Sequence, residues 1–421
     1  MCAASDCSRH LCQEPKPVKL DIYLSLPQVL TFVSYYLPGY KAGGPLRSIS
    51  NLVEALKEDL TFSIVTRDRD LGDSAPYTDI LADAWLDTPH GRVNYRSPAA
   101  QRLRPLARLM RETPHDVLYL NSIFDIRFAA QPLLARRLGL APSTPVVIAP
   151  RGELAAGALA LKGKRKAAYL KVASSLGLFD HVLWMASSPR EAQDIERSLG
   201  VASEHIAIAS DLGGVGGSDA PLSSSSLKRD SLQLVFLARI SPMKNLDYAL
   251  ELLREVDVPV AFDVFGPCSD AAYLDLCRSL STTMPDHVKV RFLGEVRPEE
   301  VGQTLASYDL MLLPSRGENF GHVILESLQA GTPVLISDRT PWSSTPDEAC
   351  LAIPLERPEE FRQVIRQRAM IRSSDRARLR KAARLHGTRF GSDPGHLAAN
   401  RDLFLRAASG HVSRSPRERS F

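Results

Sequence analysis

No apolar run in these 421 residues is long enough to span a bilayer, which excludes a membrane-spanning reading. Met1 to Lys16 is polar and carries no apolar stretch, so no signal peptide is expected there. Charge of one sign is also lacking: Lys+Arg 52 against Asp+Glu 48 leaves +4, too mild a balance to imply nucleic acid as a partner. The cysteines, Cys2, Cys7, Cys12, Cys268, Cys277 and Cys350, form no CxxC pair and have no His/Cys cluster beside them. That pattern reads as reduced thiols of a cytoplasmic protein with no bound metal. A dinucleotide fingerprint is missing, because Gly213 to Gly217 breaks the GxGxxG spacing and runs into Ser223–Ser226 rather than a helix. A phosphate-binding P-loop is missing too: Gly157 to Gly163-Lys164 has the wrong spacing, and Arg165 stands where Ser or Thr is required. No Ser/His/Asp set suggests a protein nucleophile.

What is present is a repeated unit: a short apolar or β-branched run, a small loop, then a segment with helical spacing. Strands are expected at 29–34, 62–66, 117–121, 146–149, 182–186 and 206–209. A helix opens at Pro45, with Leu46, Ile49, Val53 and Leu56 on one face. Residues 211–230, rich in Gly and Ser, read as a linker. A second series follows, with strands at 232–238, 261–265, 288–294, 309–314 and 333–337 alternating with helices, the signature of a parallel sheet with helices on both faces. The expected organisation is a disordered tail (1–17), a first domain (18–210), the linker (211–230) and a second domain (231–390). A last helix (391–409) is free to cross back to the first domain, and an Arg- and Ser-rich tail (410–421) ends the chain. Open parallel sheets bind ligands beyond the C-terminal ends of their strands, so the loops there are where chemistry belongs.

The segment Pro314-Ser-Arg-Gly-Glu-Asn-Phe-Gly-His-Val-Ile-Leu-Glu-Ser-Leu-Gln-Ala-Gly-Thr-Pro333 sits in such a place. Glu318 falls in the loop after a strand, Gly321 allows close backbone approach where the next helix begins, and Glu326 lies on that helix. The free N–H groups of the helix start favour an anion such as phosphate. A loop carboxylate can accept from sugar hydroxyls, and one on the helix can clamp the two hydroxyls of a ribose. A surface helix with two solvated glutamates is the bland alternative; the strand–loop–Gly–helix–Gly-Thr-Pro–strand frame favours the functional one. A second segment, Phe236-Leu-Ala-Arg-Ile-Ser-Pro-Met-Lys-Asn245, places Arg239 and Lys244 beside the same crevice. Together they can neutralise a diphosphate.

These residues carry a resemblance. Arg239, Lys244 and the Glu318/Glu326 pair, which matches an E-x7-E pattern, resemble the retaining glycosyltransferases of family 4 (glycosyl transferases group 1). The resemblance extends to Gly43-Gly44, Phe292-Leu-Gly-Glu295 and Gly331-Thr-Pro333 and covers nearly the whole chain. It implies a GT-B fold, two Rossmann-like parallel-sheet domains facing across a cleft. It implies transfer of a sugar from a nucleotide-sugar donor to a saccharide or lipid-linked saccharide acceptor with retention of configuration, in bacterial polysaccharide or glycolipid synthesis. No cofactor or metal is expected, the nucleotide-sugar being a substrate. Arg239 and Lys244 would hold the diphosphate, Glu326 the ribose and Glu318 the donor sugar. The backbone at Phe320, Gly321, His322 and Val323 would meet phosphate and sugar, and Gly43-Gly44 would line the cleft from the acceptor side. The rival reading is a nucleotide-binding protein on the same fold without catalysis.

One departure concerns Asn121, which stands at a strand end where many relatives have His. Asn can hydrogen-bond a sugar but cannot act as a base near neutral pH. Arg151 and Glu153 also follow a strand and are cleft candidates, with a structural ion pair as the alternative. Basic and apolar residues alternate in Leu161-Lys-Gly-Lys-Arg-Lys166 and onward to Lys171, and Arg102, Arg104, Arg108 and Arg111 add to them. A peripheral position on an anionic membrane surface would suit this pattern; a solvated basic face is the alternative.

Overall fold

The structure, a computed structural model, describes residues 26–160, 163–214, 230–268 and 270–410. The tail 1–17, Leu161 and Lys162, most of the expected linker and Ser413–Phe421 lie outside the described residues, as do Cys2, Cys7 and Cys12.

The first domain holds strands β1 (Gln28–Phe32), β2 (Thr61–Arg67), β3 (Trp85–Thr88), β4 (Gly91–Arg96), β5 (Val117–Leu120), β6 (Val146–Ile148), β7 (Val182–Ala186) and β8 (Ile206–Ile208). Its helices are α1 (Gly44–Leu56), α2 (Leu103–Glu112), α3 (Gln131–Arg137), α4 (Ala156–Ala160), α5 (Gly163–Ser175) and α6 (Pro189–Leu199). The strands form one eight-stranded sheet in the order β3-β4-β2-β1-β5-β6-β7-β8. All pairs are parallel except the edge pair β3–β4, which is antiparallel. Central strands are apolar on both faces because helices cover both. In β5, Leu118 and Leu120 face one core while Val117 and Tyr119 face the other.

The second domain holds β9 (Leu232–Leu237), β10 (Val260–Phe265), β11 (Val288–Gly294), β12 (Leu310–Leu313), β13 (Val334–Ser337) and β14 (Cys350–Ile353). Its helices are α7 (Leu246–Arg254), α8 (Ala271–Ser281), α9 (Val301–Ala306), α10 (His322–Gln329), α11 (Pro358–Ala369) and α12 (Ser373–Gly391). The sheet is six-stranded and wholly parallel, in the order β11-β10-β9-β12-β13-β14. The order reverses around β9, which places the crevice over the loops after β9 and β12.

A last helix, α13 (Pro394–Ala408), packs on the first sheet. Leu403, Phe404 and Ala407 enter the core that contains β1, β2 and β5 side chains. The Phe404 ring meets Phe62 and Tyr119 edge-on, at 5.9 and 5.0 Å between centroids. Asn400 Nδ2 donates to Ser210 O at 2.9 Å, so the helix also grips the segment leaving β8. The expected linker after it begins buried: Asp211 and Leu212 are both buried, and Gly213 lies against Leu325. Gly and Ser composition does not reveal that Asp211, two residues before the first glycine, is an ion-pair partner.

Candidate active site

The two sheets point their strand ends at a common cleft of about 440 Å³. Its second-domain wall is built by the loop after β9 and the loop between β12 and α10. Gly321, at the start of α10, has φ +81, and a Cβ there would lie 2.8 Å from Ile324 Cδ1, so glycine is required. The turn sets the first N–H groups of α10 free at the cleft wall, where they can meet an anion.

Lys244 Nζ lies 2.6 and 2.7 Å from the two carboxylate oxygens of Glu318. Ser315 Oγ donates to Glu318 Oε1 at 2.7 Å, which fixes the carboxylate against the strand end. Lys244 has three N–H donors and spends two here, so one stays available to a ligand. Arg239 Nη2 reaches across the cleft to Ala42 O at 3.1 Å, next to Gly43. Burial holds the Arg239 guanidinium below its usual pKa.

Glu326, one turn into α10, pairs with Arg47 Nη1 of α1 at 2.7 Å. Burial raises the Glu326 pKa, and the Arg47 charge opposes the rise. His322 Nε2 lies 2.9 Å from Ser48 Oγ, also on α1, and caps nothing in its own helix. Burial lowers the His322 pKa to about 4, so the ring is neutral near pH 7.

Glu318, Glu326, Arg239, Lys244, Phe320, Gly321, His322, Val323, Gly43, Gly44 and Arg151 all line this one cleft. Asn121 and Glu153 do not. Asn121 is buried behind it, where its Oδ1 accepts from Arg151 Nη2 at 3.3 Å. Glu153 accepts from the Ile123 and Phe124 N–H groups at 2.7 and 3.3 Å and from Ser122 Oγ at 2.9 Å, so it braces the loop after β5. Arg151 Nη1 pairs with Asp211 at the cleft floor. Sequence reasoning missed Arg47, Ser48, Asp211 and Ser315. Arg47 and Ser48 follow Gly43-Gly-Pro-Leu46, and the glycine loop was the one signal available for them. Among the described residues, no group of three or more His, Cys, Asp or Glu is placed to hold a metal, and no helix is long and apolar enough to cross a membrane.

Residues 222–386 match a family model described as glycosyl transferases group 1. The second domain belongs to that family. The match covers the β9 loop, both glutamates and α10, so every second-domain residue of the cleft lies inside the group 1 segment. Curated relatives include D-inositol 3-phosphate glycosyltransferases of Rhodococcus erythropolis and Jonesia denitrificans. The first is 31% identical over 134 residues, 29% of either chain; the second is 30% identical over 169 residues, 38% of this chain and 40% of the relative. The chain thus spans less than half the length of these relatives. In three dimensions it is similar to the Anabaena protein HepE in complex with UDP and glucose, with TM-score 0.68 and 16% identity over 91% of this chain and 100% of the other. Sucrose-phosphate synthase from Thermosynechococcus elongatus gives TM-score 0.71 and 15% identity over 92% and 100%. At these identities the likeness establishes the fold, which is GT-B: two α/β domains facing across a cleft, the group 1 domain being the second.

Proposed function

We propose that this protein is a glycosyltransferase that moves a sugar from a nucleoside-diphosphate sugar to a hydroxyl of a saccharide or lipid-linked saccharide, with retention of configuration. The observation that carries this reading is convergence. Arg239, Lys244 and the N-terminus of α10 supply positive charge to one spot, flanked by Glu318 and Glu326. A leaving diphosphate gains charge as the glycosidic bond breaks. Fixed cations and helix N–H groups that stabilise it lower the barrier without a protein nucleophile. Glu326 then holds the ribose and Glu318 the donor sugar. For the ribose to be clamped, Glu326 must exchange its bond with Arg47 for bonds to the two hydroxyls.

Nucleotide-sugar donors are supported by the UDP and UDP-glucose complexes of the Anabaena neighbour. Independence of metal, a cytoplasmic location and a role in bacterial polysaccharide or glycolipid synthesis belong to the same proposal. So does a peripheral site on an anionic membrane. In α5 only Ala173 is buried, and Lys164, Arg165 and Lys171 stand exposed beside Val172. A thermal-shift screen against UDP, GDP, ADP and dTDP, with and without Mg²⁺, tests the core of the reading. A rise in Tm with one of them supports the donor site and names its base. No rise with any at millimolar concentration removes it.

A further inference from the structure

A polar chain at the cleft floor is left unused by the donor-site reading. Arg151 Nη2 donates to the Tyr119 hydroxyl at 2.7 Å, and its Nη1 pairs with Asp211 Oδ1. Asp211 Oδ2 accepts from Ser48 Oγ at 2.9 Å, and Ser48 Oγ lies 2.9 Å from His322 Nε2. The side chains of Arg151, Asp211 and His322 are 6%, 3% and 9% exposed, and each link of the chain is a direct contact. It starts in the core of the first domain, passes through the segment leaving β8, and ends on the first residue of α10 in the second.

The position of each proton along it follows from donor and acceptor chemistry. Asp211, paired with a buried guanidinium, is a carboxylate and only accepts. Ser48 has one hydroxyl proton, and its two other neighbours, Asp211 Oδ2 at 2.9 Å and Gly44 O at 3.1 Å, both lack a proton to give. Whichever of them takes the Ser48 proton, the contact with His322 has to be donated by the imidazole. A neutral ring with its proton on Nε2 carries a lone pair on Nδ1.

We infer that Ser48 and Asp211 are positioning residues for the transfer reaction: they hold His322 as its Nε2–H tautomer, so that Nδ1 accepts a hydrogen bond from a substrate hydroxyl. The inference rests on the donor-site reading above. Since Ser48 and His322 come from different domains, the ring is oriented only while the domains are closed on each other. Closure and completion of the site are then one event.

The test uses the full chain labelled with ¹⁵N-histidine at pH 7, the His322 ring signals being identified by their loss in His322→Gln. The wild type is expected to show the Nε2–H pattern, Ser48→Ala a mixture of tautomers, and Ser48→Thr the wild-type pattern again. In donor hydrolysis, Ser48→Ala should lower kcat about tenfold, the effect of one lost hydrogen bond, with donor KM unchanged within about twofold, and Ser48→Thr should restore it. An Nδ1–H pattern in the wild type, a tautomer indifferent to Ser48→Ala, or an unchanged kcat in that variant overturns the inference. Calorimetry of the wild type with UDP, GDP, ADP and dTDP separates the two levels. If none binds, the donor-site reading falls and takes the role in transfer with it, while the tautomer result still decides whether Ser48 and Asp211 hold the His322 ring.

Discussion

Both carboxylates of the 318/326 pair already hold a cation, Lys244 from the same domain for one and Arg47 from the opposite domain for the other. This difference separates their expected phenotypes. Glu326→Ala should weaken nucleoside diphosphate binding by roughly tenfold and leave pyrophosphate binding nearly unchanged, as isothermal calorimetry would read, because only the nucleotide has a ribose to lose. Equal weakening of both ligands would assign Glu326 to the phosphates instead. Glu318→Ala should depress turnover more than nucleotide affinity in a donor-hydrolysis assay. His322 makes a prediction about pH. Its folded pKa of about 4 lies below the ordinary 6.5, so the unfolded chain binds a proton that the folded chain refuses between those values. Stability therefore falls as pH drops through that window, by roughly 1.4 kcal/mol per unit from this residue. Melts at pH 6.5 and 4.5 should show a smaller acid loss in His322→Gln than in the wild type.

Among elements, α10 is the one on which the site depends, and two glycines govern its placement. Gly321→Ala forces a side chain into a left-handed turn and against Ile324. A loss of about 1–3 kcal/mol is expected in denaturant unfolding, with nucleotide affinity reduced as the free N–H groups move. Gly387 of α12 lies so close to α10 that a Cβ would come within 2.5 Å of Gln329 N and 2.7 Å of Leu328 C. Backbone cannot yield as a flexible side chain can, so this packing explains a glycine inside a long helix. Elements with strong periodicity or β-branched runs were legible in sequence, α1, β7, β11 and α13 among them. The short strands β3, β4 and β14 were not. They are four to six residues long, lie at or beside sheet edges, and draw much of their definition from a neighbour.

Over the whole molecule, the ties between the domains include the cleft contacts of α1 with α10, the Arg239–Ala42 hydrogen bond, and α13, whose Phe404 completes the first core. Phe404→Ala should cost about 3–5 kcal/mol in unfolding, and the loss should appear as melting of the first domain although the residue lies beyond the second in the chain. By itself the sequence determined the two α/β series and the frame of Glu318, Gly321 and Glu326, together with Arg239 and Lys244. Each of these depends on spacing within a few residues of chain, where local sterics and hydrogen-bond geometry leave little choice. Tertiary structure alone decided that Glu326 faces Arg47, that Asp211 is buried against Arg151 and Ser48, and that Glu153 braces a loop instead of facing the cleft. Those pairings join residues 29 to 279 positions apart, and no local pattern encodes which of many charged side chains will meet.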